Sequence, residues 1–147
     1  MKAVLQRVSR AKVTVDDDVT GEIGRGILVF LGVGNSDAEK DAQFLVEKTV
    51  NLRIFDDANG KMNLSVLDVG GGLLVVSQFT LYGDARKGRR PSYIGAAAPD
   101  KANSLYEYFV AEARKVIDAV QTGRFQAMME VELVNDGPVT VILESPE

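Results

Sequence analysis

Lys2-Ala3-Val4-Leu5-Gln6-Arg7-Val8-Ser9-Arg10-Ala11-Lys12-Val13-Thr14-Val15 opens the chain and is rich in β-branched residues. Val4, Gln6 and Val8 fall on one side and Leu5 and Arg7 on the other, the period of two that marks a strand. Asp16-Asp17-Asp18 then predicts a turn into a short second strand, and Ile27 to Val33, bounded by Gly26 and Gly34, a buried third. Working outward, Ser36-Asp37-Ala38-Glu39 has the form of a capping box, in which the serine caps the first turn and the glutamate reaches back. The helix behind it places Ala38, Ala42, Leu45 and Leu52 near one face. Arg53-Ile54-Phe55 is short and extended, Asn59-Gly60 signals a tight turn, and Leu73 to Leu81 predicts a second strongly buried strand. Tyr82 to Ala98 is irregular, and Pro99-Asp100 opens a second helix with Leu105, Phe109, Val116, Ile117 and Val120 facing inward. Phe125 to Val134 alternates again, with Phe125, Ala127, Met129, Val131 and Leu133 on one face. Asn135-Asp136-Gly137-Pro138 predicts a turn before a last strand, Val139 to Leu143.

Strands, helix, strands, helix, strands leave too few helices to cross over between every strand pair. The order predicts an α+β fold with a largely antiparallel, curved sheet and two main helices, as a single domain over residues 1–147. Typical domains run to about 100–200 residues, so the length fits one.

Composition excludes more than it suggests. The chain has no Cys and no His, which removes disulfides, thiolate nucleophiles, zinc fingers, the Ser-His-Asp triad and the usual general base near neutral pH. A metal would have to be held by carboxylates, amides and carbonyls; no metal site and no cofactor are expected. The N-terminal apolar run breaks too early for a signal peptide. The longest apolar run, Ile27 to Leu31, is far short of the roughly 20 residues that span a bilayer, so a cytoplasmic protein is expected. The net charge is −4, which is not that of a general nucleic-acid binder, so any RNA contact must be local.

Three segments could carry chemistry. Gly83-Asp84-Ala85-Arg86-Lys87-Gly88 has the glycine spacing of a phosphate-binding loop, but Arg89, Arg90 and Pro91 follow where Lys, Ser/Thr and a helix are required. Arg86, Lys87, Arg89 and Arg90 put four positive charges into five residues; they form either a solvated loop or an edge that neutralises backbone phosphates, with Tyr82 and Tyr93 placed to stack on bases. Ser77-Gln78-Phe79-Thr80 stands at the end of an apolar strand. A hydroxyl without a base is a poor nucleophile, so this segment either satisfies neighbouring backbone or offers N–H groups as an oxyanion hole. In Asn135-Asp136-Gly137-Pro138-Val139-Thr140 the glycine permits close backbone approach, and an ordinary turn is the alternative.

Ser77-Gln78-Phe79-Thr80-Leu81 and Asn135-Asp136-Gly137-Pro138-Val139-Thr140 resemble the paired signature motifs of the D-aminoacyl-tRNA deacylases. The opening Ala3 to Ala11, Leu52 to Phe55, Gly60 to Ser65, and Tyr82-Gly83-Asp84 with Arg86 to Pro91 are similar as well, so the resemblance covers nearly the whole chain. A related animal deacylase family differs in the second motif, and Asn135 with Val139 keeps this chain with the D-specific type. The resemblance implies a barrel-like homodimer with its active site at the subunit interface. It implies hydrolysis of the ester between a D-amino acid and the terminal adenosine of tRNA, with glycyl-tRNA(Ala) as a further substrate. Catalysis is then attributed to the terminal ribose 2′-hydroxyl, with the Phe79 N–H stabilising the oxyanion and Ser77, Gln78 and Thr80 shaping the pocket. It also implies a cis Gly137–Pro138 bond that enters the partner's site and blocks an L side chain, with Asn135 and Thr140 in the same motif and Arg7 bracing it. Two rivals remain from the residues alone: a non-catalytic RNA-binding module using Arg86 to Arg90, and a carboxylate-metal hydrolase using Asp56, Asp57 and Asp84.

Overall fold

A computed structural model describes residues 1–147. The predicted first strand is β1, Lys2–Val15; it is followed by β2, Asp18–Ile23, and β3, Gly26–Gly32. Asp16 and Asp17 both take positive φ, 48° and 69°, to make the turn between β1 and β2, a conformation that aspartate tolerates better than most residues. Next come α1, Glu39–Asn51, the small hairpin β4, Phe55–Asp56, and β5, Met62–Leu64, and a single turn, α2, Val66–Val69. The chain ends with β6, Gly72–Ser77, a 3₁₀ turn at Phe79–Tyr82, α3, Pro99–Arg114, β7, Val120–Thr122, and the long β8, Glu130–Glu144.

One six-stranded sheet holds all but the β4–β5 hairpin. β8 pairs antiparallel with β1 from Lys2 to Thr14 and so takes one edge of that strand almost entirely. β3 and β2 must then share the other edge in tandem, β3 on residues Lys2 to Val8 and β2 on Ala11 to Val15, both antiparallel. β6 and β7 extend β3 in parallel, each reached through a helix, as parallel neighbours require. β2 comes back against β7, so the mixed sheet curls nearly closed. The α+β architecture is as expected.

Curling separates two apolar interiors. The larger, 25 buried residues, lies between the sheet and helices α1 and α3 and includes Leu5, Ile27, Leu45, Phe55, Leu73 and Phe109. The smaller, inside the curl, holds Val8, Ala11, Val13, Val15, Ile23, Leu28, Leu74 and Val76, and is closed by Met129, Val131 and Leu133. β1 feeds both: Ala3 and Leu5 face the larger, whereas Ala11, Val13 and Val15, also at odd positions, face the smaller, so the strand turns over around exposed Ser9 and Arg10, where its register against β8 also shifts. A bulge is the device that turns one strand's face over in this way.

Four expectations need correction. The buried strand at Leu73 to Leu81 ends at Ser77, because the chain turns into the 3₁₀ element there. The capping box before α1 is not made: the helix starts at Glu39, Ala38 is exposed, and Asp41 Oδ2 accepts the Ala38 N–H at 2.8 Å. A true reciprocal box stands instead at Ser65 and Asp68, which bond across α2 at 2.9 and 3.1 Å. Val116 lies past the end of α3 and is exposed, while Val120 is buried in β7. Finally, Asn135 to Pro138 does not reverse the chain. It is a bulged section inside β8, both halves of which pair with β1; β8 itself begins at Glu130, not Phe125, because Gln126 takes a φ of 61°.

Gly26 and Gly72 face each other where β3 meets β6, and a Cβ on Gly26 would stand 2.8 Å from the Gly72 nitrogen. The obstacle is backbone and cannot rotate away. Gly26→Ala should therefore cost about 3 kcal/mol in urea unfolding, the upper range of overpacking. Gly24→Ala, with nothing within 4 Å of its Cβ, should stay within about 0.5 kcal/mol of the parent protein.

Candidate active site

Ser77 is the last residue of β6, paired in register with Leu31 of β3. The Gln78 N–H donates to the Leu31 carbonyl at 2.8 Å, the last bond of the ladder, and at φ −141°, ψ 82° the chain then leaves the sheet. The turn that follows is closed by Leu81 N–H to Gln78 O at 3.2 Å and Gly83 N–H to Thr80 O at 2.9 Å. Phe79 is first in this turn, where amides have no acceptor within the helix. Its side chain is 55% exposed and meets the ring of Tyr93 edge-on, centroids 5.1 Å apart at 67°.

Phe79 lines an apolar cleft of about 570 Å³. Ser77 and Gln78 line one wall; Tyr93, Phe125, Met128 and Met129 are prominent on the others. The cleft suits a flat ring with a polar end. Of the first motif, Thr80 does not line it: its hydroxyl accepts a hydrogen bond from the Gln78 amide. The sequence does not mark Phe125, Met128 and Met129 as cleft residues: its alternation puts Phe125 and Met129 on the inward face of a strand and Met128 on the other, whereas β8 begins only at Glu130 and all three line the cleft.

The second motif lies elsewhere on the chain. Its bulge is pinched by Asn135, whose Nδ2 donates to the carbonyls of Arg7 at 2.9 Å and Val139 at 3.1 Å. Between these points Asp136, Gly137 and Pro138 are exposed, and the Gly137–Pro138 bond is cis. Thr140 Oγ1 accepts from Gln6 Nε2 at 3.3 Å. Arg7, only 7% exposed, lies beneath the bulge: Nε donates to Asp136 O at 3.1 Å and Nη1 to Ile54 O at 2.7 Å. The carboxylates of Asp136 and Asp56, 3.2 and 3.7 Å away, offset its charge. None of residues 135–140 lines the Phe79 cleft, so one chain does not bring the two motifs together.

The basic loop is less basic than its sequence. Arg86 grips the Asp84 carboxylate through Nε at 2.9 Å and Nη2 at 2.6 Å, which holds the Asp84 carboxyl down to about 2. Asp84 and Ser92 exchange backbone bonds at 2.8 Å and close the loop, leaving Lys87, Arg89 and Arg90 exposed. No helix follows Gly88, so the phosphate-loop spacing is fortuitous. Tyr82 is not free to stack on bases, because its hydroxyl bonds Asp37 Oδ2 at 3.3 Å and Lys2 Nζ stands 4.8 Å from its ring centroid. The three carboxylates of the metal reading are dispersed: Asp56 sits by Arg7, Asp57 accepts the Asn59 and Lys61 N–H groups, and Asp84 holds Arg86. No helix is long and apolar enough to cross a membrane.

The profile of a family described as D-Tyr-tRNA(Tyr) deacylase matches residues 4–144. The chain belongs to that family. It is 63% identical to the D-aminoacyl-tRNA deacylase of Koribacter versatilis over 145 residues, 99% of this chain and 97% of that protein. It is equally similar, with the same coverage, to the D-aminoacyl-tRNA deacylase of Syntrophobacter fumaroxidans. Among solved structures it resembles a c-Myc DNA Unwinding Element Binding Protein at TM-score 0.95 and 43% identity, each chain covered in full. A probable eukaryotic D-amino acid tRNA deacylase shares the fold at TM-score 0.86 and 17% identity, covering 97% of this chain and 98% of that one. The chain is therefore a D-aminoacyl-tRNA deacylase, a hydrolase of the carboxylic ester that joins a D-amino acid to tRNA.

In this deacylase Arg7 hydrogen-bonds both the second motif and Ile54, the residue that leads into the β4–β5 hairpin. Arg7→Met keeps the volume and removes every donor, leaving the buried Ile54 carbonyl unpaired. Unfolding in urea should show a loss of about 1–3 kcal/mol. Amide exchange should accelerate across residues 135–140 while the exchange of β3 amides stays slow.

Proposed function

We propose that the Phe79 cleft receives the 3′-terminal aminoacyl-adenosine and that the Phe79 N–H donates to the ester carbonyl as it becomes an oxyanion. A backbone donor of this kind is typically worth about 10²–10³ in kcat. Water adds to the carbonyl carbon, the bond to the ribose oxygen breaks, and free amino acid and tRNA leave. The adjacent ribose 2′-hydroxyl assists the attack, and Ser77, Gln78 and Thr80 shape the pocket. The observation that carries this reading is a residue that both starts a turn, where its amide has no acceptor within the helix, and lines an apolar cleft, in a chain without His or Cys.

The working unit is a homodimer in which the partner's Gly137–Pro138 enters this cleft. Separation of the two motifs within one chain supports this, as does an apolar row in register across three strands: Phe30, Val4 and Ile142, the last 69% exposed. Backbone carbonyls of the inserted motif hold the α-amino group and leave no room for an L side chain. Rejection by clash against backbone is indifferent to which D side chain is present. It cannot reject glycine, so glycyl-tRNA(Ala) is a substrate of the same site.

Deacylation of D- and L-tyrosyl-tRNA by folded variants tests this. Phe79→Ala keeps the N–H and should retain most of its kcat, whereas Phe79→Pro removes the N–H and should lose about 10²-fold or more. Thr80→Ala should stay active. Gly137→Ala, whose Cβ would stand 2.9 Å from Asn135 Oδ1, should lower both the rate and the D/L ratio. Equal activity of Phe79→Ala and Phe79→Pro overturns the amide's role. A merely RNA-binding chain would show no hydrolysis at all, and a metal-dependent one would lose it in EDTA.

Lys87, Arg89 and Arg90 contact the tRNA backbone, with Arg86 contributing as far as its bond to Asp84 allows. Reversing Arg89 and Arg90 to Glu should weaken tRNA binding and reduce the slope of log K against log salt by about one per lost phosphate contact. An unchanged slope would make the loop a solvated surface.

A further inference from the structure

Tyr82 closes the same four-residue 3₁₀ turn that Phe79 opens. Its surroundings are unusually constrained for a residue at the end of a surface turn. A Cβ on Gly34 would lie 2.8 Å from both Cζ and the hydroxyl oxygen of Tyr82. A Cβ on Gly32 would lie 3.1 Å from the Leu81 Cβ, 3.1 Å from the Gln78 carbonyl oxygen and 3.3 Å from Tyr82 Cδ2. Gly32, the last residue of β3, and Gly34 just beyond it thus form a bare floor against which Gln78, Leu81 and Tyr82 are seated. The tyrosine hydroxyl donates to Asp37 Oδ2 at 3.3 Å, and the same oxygen accepts the Gly34 N–H at 2.6 Å. Burial, reinforced by the negative charge of Asp37, pushes the Tyr82 hydroxyl far above the usual phenol range, so it stays a neutral donor.

We propose that Tyr82, seated on Gly32 and Gly34 and latched to Asp37, is a positioning residue that fixes where the Phe79 N–H points. This rests on the reading of the Phe79 amide as the oxyanion donor. The reason is geometric. The 3₁₀ turn has only four residues, and the last ladder bond before it is that of the Gln78 N–H. In so short a turn, fixing the far end helps to fix the direction of the near end. A misplacement of about 1 Å at a catalytic group can cost about 10²-fold.

The test is a double-mutant cycle on the intact protein, with D-tyrosyl-tRNA as substrate and kcat and KM measured separately. Tyr82→Ala should lower kcat by about 10- to 100-fold with KM within a factor of about two, since orientation and not contact is lost. Tyr82→Phe, which keeps the ring and loses only the Asp37 bond, should recover most of that loss. Gly34→Ala keeps its N–H and adds only the methyl group that collides with the ring; it should lower kcat on its own. Gly34→Ala/Tyr82→Ala should be no worse than Tyr82→Ala, because the methyl then has nothing to strike. Thermal melting identifies any variant that fails to fold; should Gly34→Ala do so, restored folding of the double variant supports the same collision. The proposal is overturned if Tyr82→Ala keeps its kcat, if the loss falls on KM alone, or if the two single losses multiply in the double variant. Phe79→Pro separates the two readings. If it is inactive while Tyr82→Ala is normal, the amide reading stands and the positioning role falls. If it is fully active, the amide reading falls and a Tyr82 effect on Phe79 falls with it.

Discussion

A strand has two hydrogen-bonding edges, and β8 occupies one edge of β1 from Lys2 to Thr14. The rest of the architecture follows from that pairing. β2 and β3 are left to share the remaining edge end to end, so the sheet bends where one gives way to the other, near Ser9 and Arg10. The bend lets β2 return toward β7 and encloses the smaller core. It also obliges β8 to carry extra residues where β1 changes face. Those residues are Asp136, Gly137 and Pro138, so the exposed bulge that bears the second motif is a product of closing the sheet. Arg7 lies directly beneath it because Arg7 is the residue of β1 at which the register breaks.

Much of this is legible in the sequence, and what is not has physical reasons. β1 and β3 announce themselves by period and by β-branched content, since each packs both faces or alternates cleanly. The Asn135 to Pro138 stretch carries every residue of a hairpin turn, yet local chemistry cannot say whether the strand beyond it pairs with the one before it. Here both halves prefer β1, and the turn residues make a bulge. Ser36 and Glu39 had the right spacing for a cap and lost to tertiary contacts: Asp37 is drawn into Gly34 and Tyr82, and the helix starts after it. The same contacts explain why Tyr82, beside four cations in sequence, points away from them. Phe79 and Gly137–Pro138 were legible as motifs; Phe125 and Met129 were not, because an inward-facing residue gives the same alternation whether it meets core or cleft.

Specificity in a site made of backbone has a different logic from specificity in a pocket of side chains. A pocket that recognises a side chain must choose one, and discrimination by a missing or extra methylene is worth only about 1–3 kcal/mol. A wall of main-chain atoms placed against the α-carbon acts on the hydrogen or side chain that every amino acid carries there. It separates D from L for all of them at once and is blind to what lies further out. Such a wall needs rigidity more than chemistry. If the bulge is that wall, as proposed, its rigidity comes from Asn135 bridging the carbonyls of Arg7 and Val139, and from the Arg7 fork on Asp136 and Ile54.

On the proposed reading of the Phe79 amide, rigidity is needed there for the same reason. An oxyanion donor taken from the backbone cannot adjust by rotating a side chain; its direction is whatever the turn gives it. Donors of this kind work because they cost no reorganisation as charge develops. In this chain the turn is flanked by the final ladder bond at Gln78 on one side and by the Tyr82 seat on the other, with Gly32 and Gly34 leaving the floor bare. Removing His and Cys from a site would ordinarily disarm it. On the function proposed for this site, the sequence spends its precision on glycines, an asparagine and an arginine, the residues that place backbone, and the reactive hydroxyl is the RNA's.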